Sequence, residues 1–555
     1  MPNAFAYLVL YSWPLVVLVL FWKLPLSKAL VASILGGYLF LPEAAGLDLP
    51  ILPPLNKDLV PSFSAAVMCL FMARKSVAVP RVPQGATGGL RAVLAPQMPP
   101  AAPLERTKRG RMIFRLLFLV LFLVPVLTVY GNPEPVPQGP FIIPGLRAYD
   151  IGSLILQLSV SFLPFWLAQR YLAQPEDQVM LLRAFAWSGL GYSLLCLVEI
   201  RLSPQLNNTL YGFYPSDFLQ QMRAGGFRPM VFLHHGLWVG IYLAMTVLAA
   251  ATLALWNKRN GQDGLSTLGW VAAAMWLLLV LILSKAVGAL ALTLLLLPVL
   301  VLAGTQGQLL CAMVIACVTL FYPLLRGAGW IPVDAVYEFS RSVSEERASS
   351  LKYRLDNEDL LLARAAEKPV SGWGSWGRNL LYEEYDGRIR TVPDGAWIIV
   401  IGAFGWLGYI SHFGLLTVPM FLLGWSRRKL GVTVETSGLA LLLGINLLDL
   451  IPNATLTPLT YMVAGALAGR YALATRSAEP APVTGAVAEG AKTGWPVHAR
   501  GRRRGETAAL AGSGAGAGAT ATNAAGTGAA TAGATGGDPL VRSAAGPRKI
   551  RQPRR

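Results

Sequence analysis

Arg201, Arg223 and Arg228 share one connection between apolar blocks, 199–229, and the MVFLHHGLW segment that follows puts His234 and His235 within about two helical turns of Arg228. A guanidinium is planar, stays charged at any accessible pH and binds phosphate oxygens in pairs, so the cluster suits a diphosphate held at a membrane surface. Lys285, in the LSKAVGAL turn between two further apolar blocks, adds a cation. The plainer alternative is that the arginines reach lipid headgroups or pair with Glu199 and Asp217, that Lys285 anchors a helix end, and that the histidines bond to backbone. Adjacent positions on a helix diverge by about 100°, so one of the two histidines is expected to face the arginines.

A second group lies between Pro369 and Gly408. In KPVSGWGSWGRN, Gly372, Gly374 and Gly377 permit tight turns, while Trp373 and Trp376 offer flat faces on which sugar rings stack. Arg378 lies in the same run and joins the residues expected to contact substrate. Asp394 precedes the apolar run from Ala396, where it serves either as a general base for an acceptor hydroxyl or, with Pro393 ahead of it, as a helix N-cap. Gly/Trp turns also anchor loops at a bilayer interface, so both readings of the loop stay open.

The elements that must position these residues are membrane helices. Of 555 residues, 54% are hydrophobic and 14% charged, and the apolar residues gather in blocks of about twenty, long enough for a helix to cross a ~30 Å hydrocarbon core. A bilayer admits only helices or closed barrels, and continuous apolarity without period-two alternation excludes a barrel. The expected fold is an all-α transmembrane bundle of about 12–13 spans, near 5–22, 28–41, 59–73, 112–130, 150–168, 182–200, 230–256, 267–283, 286–303, 308–325, 394–425, 437–451 and 456–474. The first block lacks a basic leader and runs to Trp22, which reads as a span rather than a cleaved signal peptide. Cys69, Cys196, Cys311 and Cys317 all sit in apolar segments as small hydrophobes, so neither a disulfide framework nor a metal site is expected.

The net charge of +18 is arranged as topology rather than as a nucleic-acid surface. Between Arg74 and Arg111 eight basic residues face a single acid, Glu105; Lys258-Arg259, Arg427-Arg428-Lys429 and the Arg-rich tail complete the set. All four fall on one side of the expected bundle, which the inside-positive rule makes the cytoplasm. The connections 131–149, 201–229 and 326–393 then lie outside, the last carrying a short helical cap that opens at Ser342-Val343-Ser344-Glu345 and stops before Pro369. Residues 1–475 make up the membrane domain, with 76–104 a disordered cytoplasmic loop and 477–555 a disordered, basic Gly/Ala/Thr-rich cytoplasmic tail suited to anionic lipid.

In their order these features resemble the O-antigen ligase and polysaccharide polymerase superfamily of bacterial inner membranes. The likeness runs over roughly residues 130–428 and rests on GLRAYD at 145–150, RPMVFLHHGLW, SKAVGAL, ERASSLKYR leading into KPVSGWGSWGRN, and DGAWIIVIGAFGWLG. The resemblance implies a metal-independent, inverting glycosyl transfer outside the membrane, in which a glycan leaves an undecaprenyl diphosphate carrier for an acceptor glycan. It places the diphosphate on Arg228 and Arg223. Preplaced guanidinium groups would stabilise the charge that builds on the leaving diphosphate, and Asp394 or His235 would take the proton. Ligases of the family carry a histidine where this chain has Asp394, which points to a polymerase or an exopolysaccharide branch, with ligase-type transfer as the alternative. Other components of a polysaccharide-export assembly are further expected partners. Two rival readings differ in signature. A flippase for lipid-linked oligosaccharide would show paired repeats and charges deep within spans. A transferase adding one sugar from a polyprenyl phosphate would carry a tight acidic pair early in the chain, where Glu43 and Asp48 stand apart.

Overall fold

Long runs of leucine, valine, alanine and phenylalanine leave backbone polar groups no partner but one another, and the helix satisfies them. The computed structural model describes residues 1–48, 54–76, 108–223, 225–343, 345–428 and 430–477. Its helices in chain order are α1 (Ala4–Lys23), α2 (Leu26–Phe40), α3 (Leu59–Ser76), α4 (Lys108–Tyr130), α5 (Ala148–Tyr171), α6 (Pro175–Leu202), α7 (Leu206–Tyr211), α8 (Gly236–Arg259), α9 (Gly264–Leu283), α10 (Val287–Leu302), α11 (Thr305–Gly327), α12 (Val333–Val343), α13 (Glu345–Ala366), α14 (Ala396–Trp425), α15 (Val434–Asp449) and α16 (Pro458–Ser477). Among the described residues, eight helices are long and apolar enough to cross a membrane: α1, α4 from Met112, α5, α6, α8, α9, α11 and α14. Shorter apolar helices are α2, α3 as far as Met72, and α10. The chain is a helical bundle with the character of a multi-pass membrane protein. The strands are two-stranded antiparallel hairpins in the connections, such as Val136–Gln138 with Phe141–Ile143 and Met222–Arg223 with Gly226–Phe227.

Burial separates the centre of the bundle from its rim. The most apolar windows of α8 and α14 are 89% and 72% buried, against 22% for α1 and α9, so the first pair forms the core and the second turns apolar side chains outward. Small residues bring backbones into contact. In the GALAG run of α16, a Cβ at Gly465 would stand 2.2 Å from the Phe165 carbonyl oxygen, and one at Gly469 2.4 Å from that of Gln169. This is the small-xxx-small packing that joins helices where lipid supplies no hydrophobic drive.

Contacts between helices show which ends lie together. Thr436 at the start of α15 bonds Gln178 at the start of α6, whose far end holds Met230 and Val231 just before α8 through Glu199; with Gly438, early in α15, packed on Thr252, late in α8, the two helices run antiparallel and the end of α15 lies with the start of α8. Just past α15, Leu450 and Asn453 accept through their carbonyls from the Ala396 N–H at the start of α14, at 3.0 and 3.2 Å. The starts of α8 and α14 therefore share one end of the bundle. Lys258-Arg259 and Arg427-Arg428 stand at the far tips of these helices, at the opposite end.

The span expected at 394–425 is a broken helix. At Gly405 φ is 63° and ψ is −166°, which interrupts the hydrogen-bond ladder of α14. The loop 369–374 takes up the freed groups: Trp406 and Leu407 donate to the carbonyls of Pro369 (2.7 Å) and Val370 (3.2 Å), while Trp373 and Gly374 donate to those of Gly402 (2.9 Å) and Ala403 (2.8 Å). Irregular backbone within an apolar bundle persists only where protein satisfies it in this way.

The helix expected to open at Ser342–Glu345 is α13, but α12 before it was not anticipated, and Ser344 of the expected capping box lies outside the described residues. The segments expected to be disordered, 76–104 and 477–555, also lie outside them, except Ser76 and Ser477, which end α3 and α16.

Gly405 occupies a backbone region that is essentially glycine-only, and a Cβ there would stand 2.5 Å from the Val370 backbone. Gly405→Ala is expected to destabilise the protein by about 1–3 kcal/mol or more. Thermal unfolding of the purified protein in detergent checks this, and an unchanged midpoint would mean that the break is dispensable.

Candidate functional site

The cation cluster is built from a buried acid. Glu199, near the end of α6, accepts from three backbone N–H groups, those of Leu206 (3.0 Å), Met230 (2.8 Å) and Val231 (2.7 Å). Val231 is thereby held at φ 53°, a left-handed conformation that a β-branched residue adopts only under restraint. The clamp ties the segment before α8 to α6 and carries Arg228 onto the first turn of α8. There the Arg228 side chain lies across Gly236, where a Cβ would stand 2.2 Å from its Cδ. Its Nη2 donates to the Lys285 carbonyl at 3.5 Å, and its backbone N–H to that of Gln221 at 2.8 Å. Lys285, itself at φ 56°, sets its Nζ against Gly226, where a Cβ would stand 2.7 Å away. The Arg228 guanidinium thus lies at the start of a long helix, whose dipole also favours an anion, against the backbone of Lys285, whose ammonium stands at Gly226.

His235 is the N-cap of α8: its Nδ1 accepts from the Leu237 N–H at 3.1 Å, and its φ of −153° is extended. The helical spacing argument therefore does not govern the His pair. With Nδ1 accepting, the neutral ring carries its proton on Nε2, a donor rather than a base. His234 turns elsewhere, its Nδ1 4.0 Å from Glu43 Oε1, and Glu43 in turn pairs with the buried Lys57 at 2.7 Å. The acids expected to neutralise the arginines hold backbone instead, Glu199 as described and Asp217 through Oδ1 to the Leu219 N–H at 3.0 Å. Arg201 is exposed on the last turn of α6. Arg223 pairs through its backbone with Gly226, and its side chain lies outside the described residues.

Asp394 begins a second group at the same end. Gly395, not Asp394, occupies the N-cap position of α14, without a side-chain bond. The Asp394 carboxylate instead pairs through Oδ2 with Nε of Arg354 on α13, at 3.3 Å. Nη1 of Arg354 donates to Pro452 O and Asn453 Oδ1, both at 3.2 Å, and so fixes α13 to the turn after α15. Burial raises the Asp394 carboxyl above the usual carboxylate range, with Arg354 opposing the shift. A carboxylate so raised is a stronger proton acceptor. About one turn further along the same helix, Asp359 and Glu358 approach Arg326, at the end of α11, at 2.6 and 3.6 Å. Burial pushes Glu358 up to about 7, against the pull of Arg326.

The Trp loop divides into fasteners and one open face. Trp373 donates its indole N–H to the Arg364 carbonyl at 2.7 Å, and its ring lies against the Arg364 guanidinium (3.3 Å) and the Lys368 ammonium (4.8 Å). Arg378, fully buried, donates to the carbonyls of Trp373 (3.1 Å), Pro144 (2.7 Å) and Glu134 (2.9 Å), and burial lowers its pKa. Those bonds bind the loop to the connection 131–149. Trp376, by contrast, is 53% exposed at φ 60°, a conformation that costs energy for a bulky residue and singles the position out.

The structure therefore brings together Arg228, Lys285 and the capped turn at His235, and separately Asp394 with Arg354. Arg354, Arg326 and Glu358 were missed in the sequence. Arg326 carried a readable signal, a lone charge ending an apolar block. Arg354 and Glu358 lie in a helix dense in charges, where the face that each occupies has no sequence mark. Neither a scan of protein-family models nor a search of curated proteins gives a match to this chain.

A carboxyl raised in the folded state holds its proton more tightly there than in the unfolded chain. Glu358 then contributes stability at low pH that is lost as pH rises through about 7. Amide exchange in α13, corrected for intrinsic rates, is expected to accelerate between about pH 5 and pH 8, and Glu358→Gln is expected to flatten that dependence. A wild-type profile already flat would disprove the assignment.

Proposed function

We propose that this chain transfers a glycan from an undecaprenyl diphosphate carrier to an acceptor glycan on the extracytoplasmic face of a bacterial inner membrane, as a polysaccharide polymerase. The observation that carries the reading is the buried Arg228 side chain laid over the first turn of α8, with the Lys285 ammonium at Gly226 in the segment before that helix, at the end of the bundle that also holds Asp394. The basic pairs Lys258-Arg259 and Arg427-Arg428 at the other end then face the cytoplasm, with the C-terminus on that side. The resemblance to the O-antigen ligase and polymerase superfamily supports the same assignment of roles.

In this mechanism Arg228 and Lys285 hold the diphosphate. As the bond from the anomeric carbon to the diphosphate oxygen breaks, the electron pair leaves with the diphosphate, and cations already in place stabilise the growing charge without rearranging. The acceptor hydroxyl attacks the opposite face of the sugar and gives its proton to Asp394, which inverts the anomeric centre. Arg354 orients the carboxylate, and Trp376 offers its exposed ring to the sugar. His235 acts through position, capping the helix on which the diphosphate seat is built.

Arg228→Ala is expected to lower transfer by about 10²–10³-fold, as removal of one preplaced charge does elsewhere. Asp394→Asn is expected to lower it by about 10²–10⁴-fold. Both are measured as polymer yield and lipid-linked intermediates in cells that depend on the variant gene. A polymerase leaves single repeat units on the carrier. Full-length polymer accumulating there would mean a ligase instead, and normal polymer in both variants would remove the proposed site.

A further inference from the structure

A cleft of about 450 Å³ opens between the end of α11 and the helices α12 and α13, a volume within the range of small-ligand sites. We infer that it is a second carbohydrate site, which holds a neutral stretch of the acceptor glycan while its end reacts; this rests on the glycosyl-transfer reading above. The walls have two characters. Tyr337 and Leu355 supply an apolar surface, and Asp334, Asp356 and Asp359 supply carboxylates. A sugar has the matching halves: its C–H face packs on an aromatic ring, and its hydroxyls donate to carboxylate oxygens in charge-assisted bonds.

The wall also holds a buried cation. Arg326 is 9% exposed and lines the cleft, and its Nε is turned to Glu358 Oε2 at 3.6 Å. The other cation of the lining, Lys352, pairs with Asp356 at 3.4 Å, and Arg326 Nη2 pairs with Asp359 at 2.6 Å. With Glu338, the lining carries four carboxylates against two cations, so a glycan segment bearing uronates meets like charge where a neutral one does not.

The position suits a chain in transit. Arg354, on one face of α13, holds Asp394, while Lys352, Leu355, Asp356 and Asp359 of the same helix line the cleft. One helix separates the proposed base from the cleft, so a glycan of several sugars can lie in the cleft with its end at Asp394. The site would bind the growing chain and restrict which repeat units are polymerised.

The test uses the full-length protein in lipid nanodiscs, titrated with a neutral glucose tetrasaccharide and with a tetragalacturonate, binding being read by saturation-transfer NMR. The wild type is expected to bind the neutral probe in preference. Tyr337→Ala and Asp356→Asn are each expected to weaken that binding by about tenfold. The Asp356 side chain is 59% exposed, so its replacement leaves packing intact. Asp394→Asn is expected to bind the neutral probe as the wild type does. If the wild type ignores the neutral probe, takes the uronate equally well, or is matched by both cleft variants, the site is refuted. Normal polymer from Asp394→Asn together with lost binding in the cleft variants would overturn the catalytic reading and leave the carbohydrate site standing.

Discussion

The break in α14 at Gly405 is the constraint on which this end of the protein depends. A helix interrupted inside an apolar bundle exposes N–H and C=O groups that neither lipid nor side chains can satisfy cheaply. The loop 369–374 satisfies them with four backbone hydrogen bonds, and only because glycines at 372 and 405 let the two backbones touch. The loop is then tied on its other side to α4: Thr128 donates to the Ser371 carbonyl at 2.6 Å, Asn132 to that of Gly372 at 2.9 Å, and Lys368 to that of Gly131 at 2.6 Å. Trp373 carries the order further by packing on Arg364 of α13, the helix whose Arg354 reaches Asp394. A long connection is thereby fixed against α4, α13 and α14.

The approach to α8 has its own organiser in Glu199, whose three backbone bonds set the course of the chain into that helix. The starts of α8 and α14 are related through α15, which packs on α8 at Gly438 and receives the start of α14 at its end. Polar pairs hold that hub in register. Thr436 bonds Gln178 of α6, Ser437 bonds Gln308 of α11, and Asn446 accepts from Thr460 of α16, all at 2.6 Å. In lipid such bonds and close small-residue contacts do the work that hydrophobic burial does in water.

Two of the sequence's most conspicuous candidates turn out to hold the scaffold. Arg378 spends its guanidinium on three carbonyls, and the ring of Trp373 is covered by two cations. Residue type made both look like ligands for sugar or phosphate, since a buried arginine and an exposed one are spelled alike. Trp376, three residues along, has the exposure that its neighbour lacks.

What the sequence determined by itself was the helical character, the approximate positions of the apolar helices and the separation of basic pairs from the cluster at Arg228, because each depends on local apolar length or on the order of charges along the chain. It also marked Asp394 and Lys285 as charges at the ends of apolar runs. Only the tertiary structure decided which of them meet. The pairing of Arg354 with Asp394, the capping role of His235, the clamp at Glu199 and the insertion of 369–374 into α14 all join residues across helix ends or within turns. Their geometry follows from how backbones approach one another at glycines, and hydropathy carries no record of that.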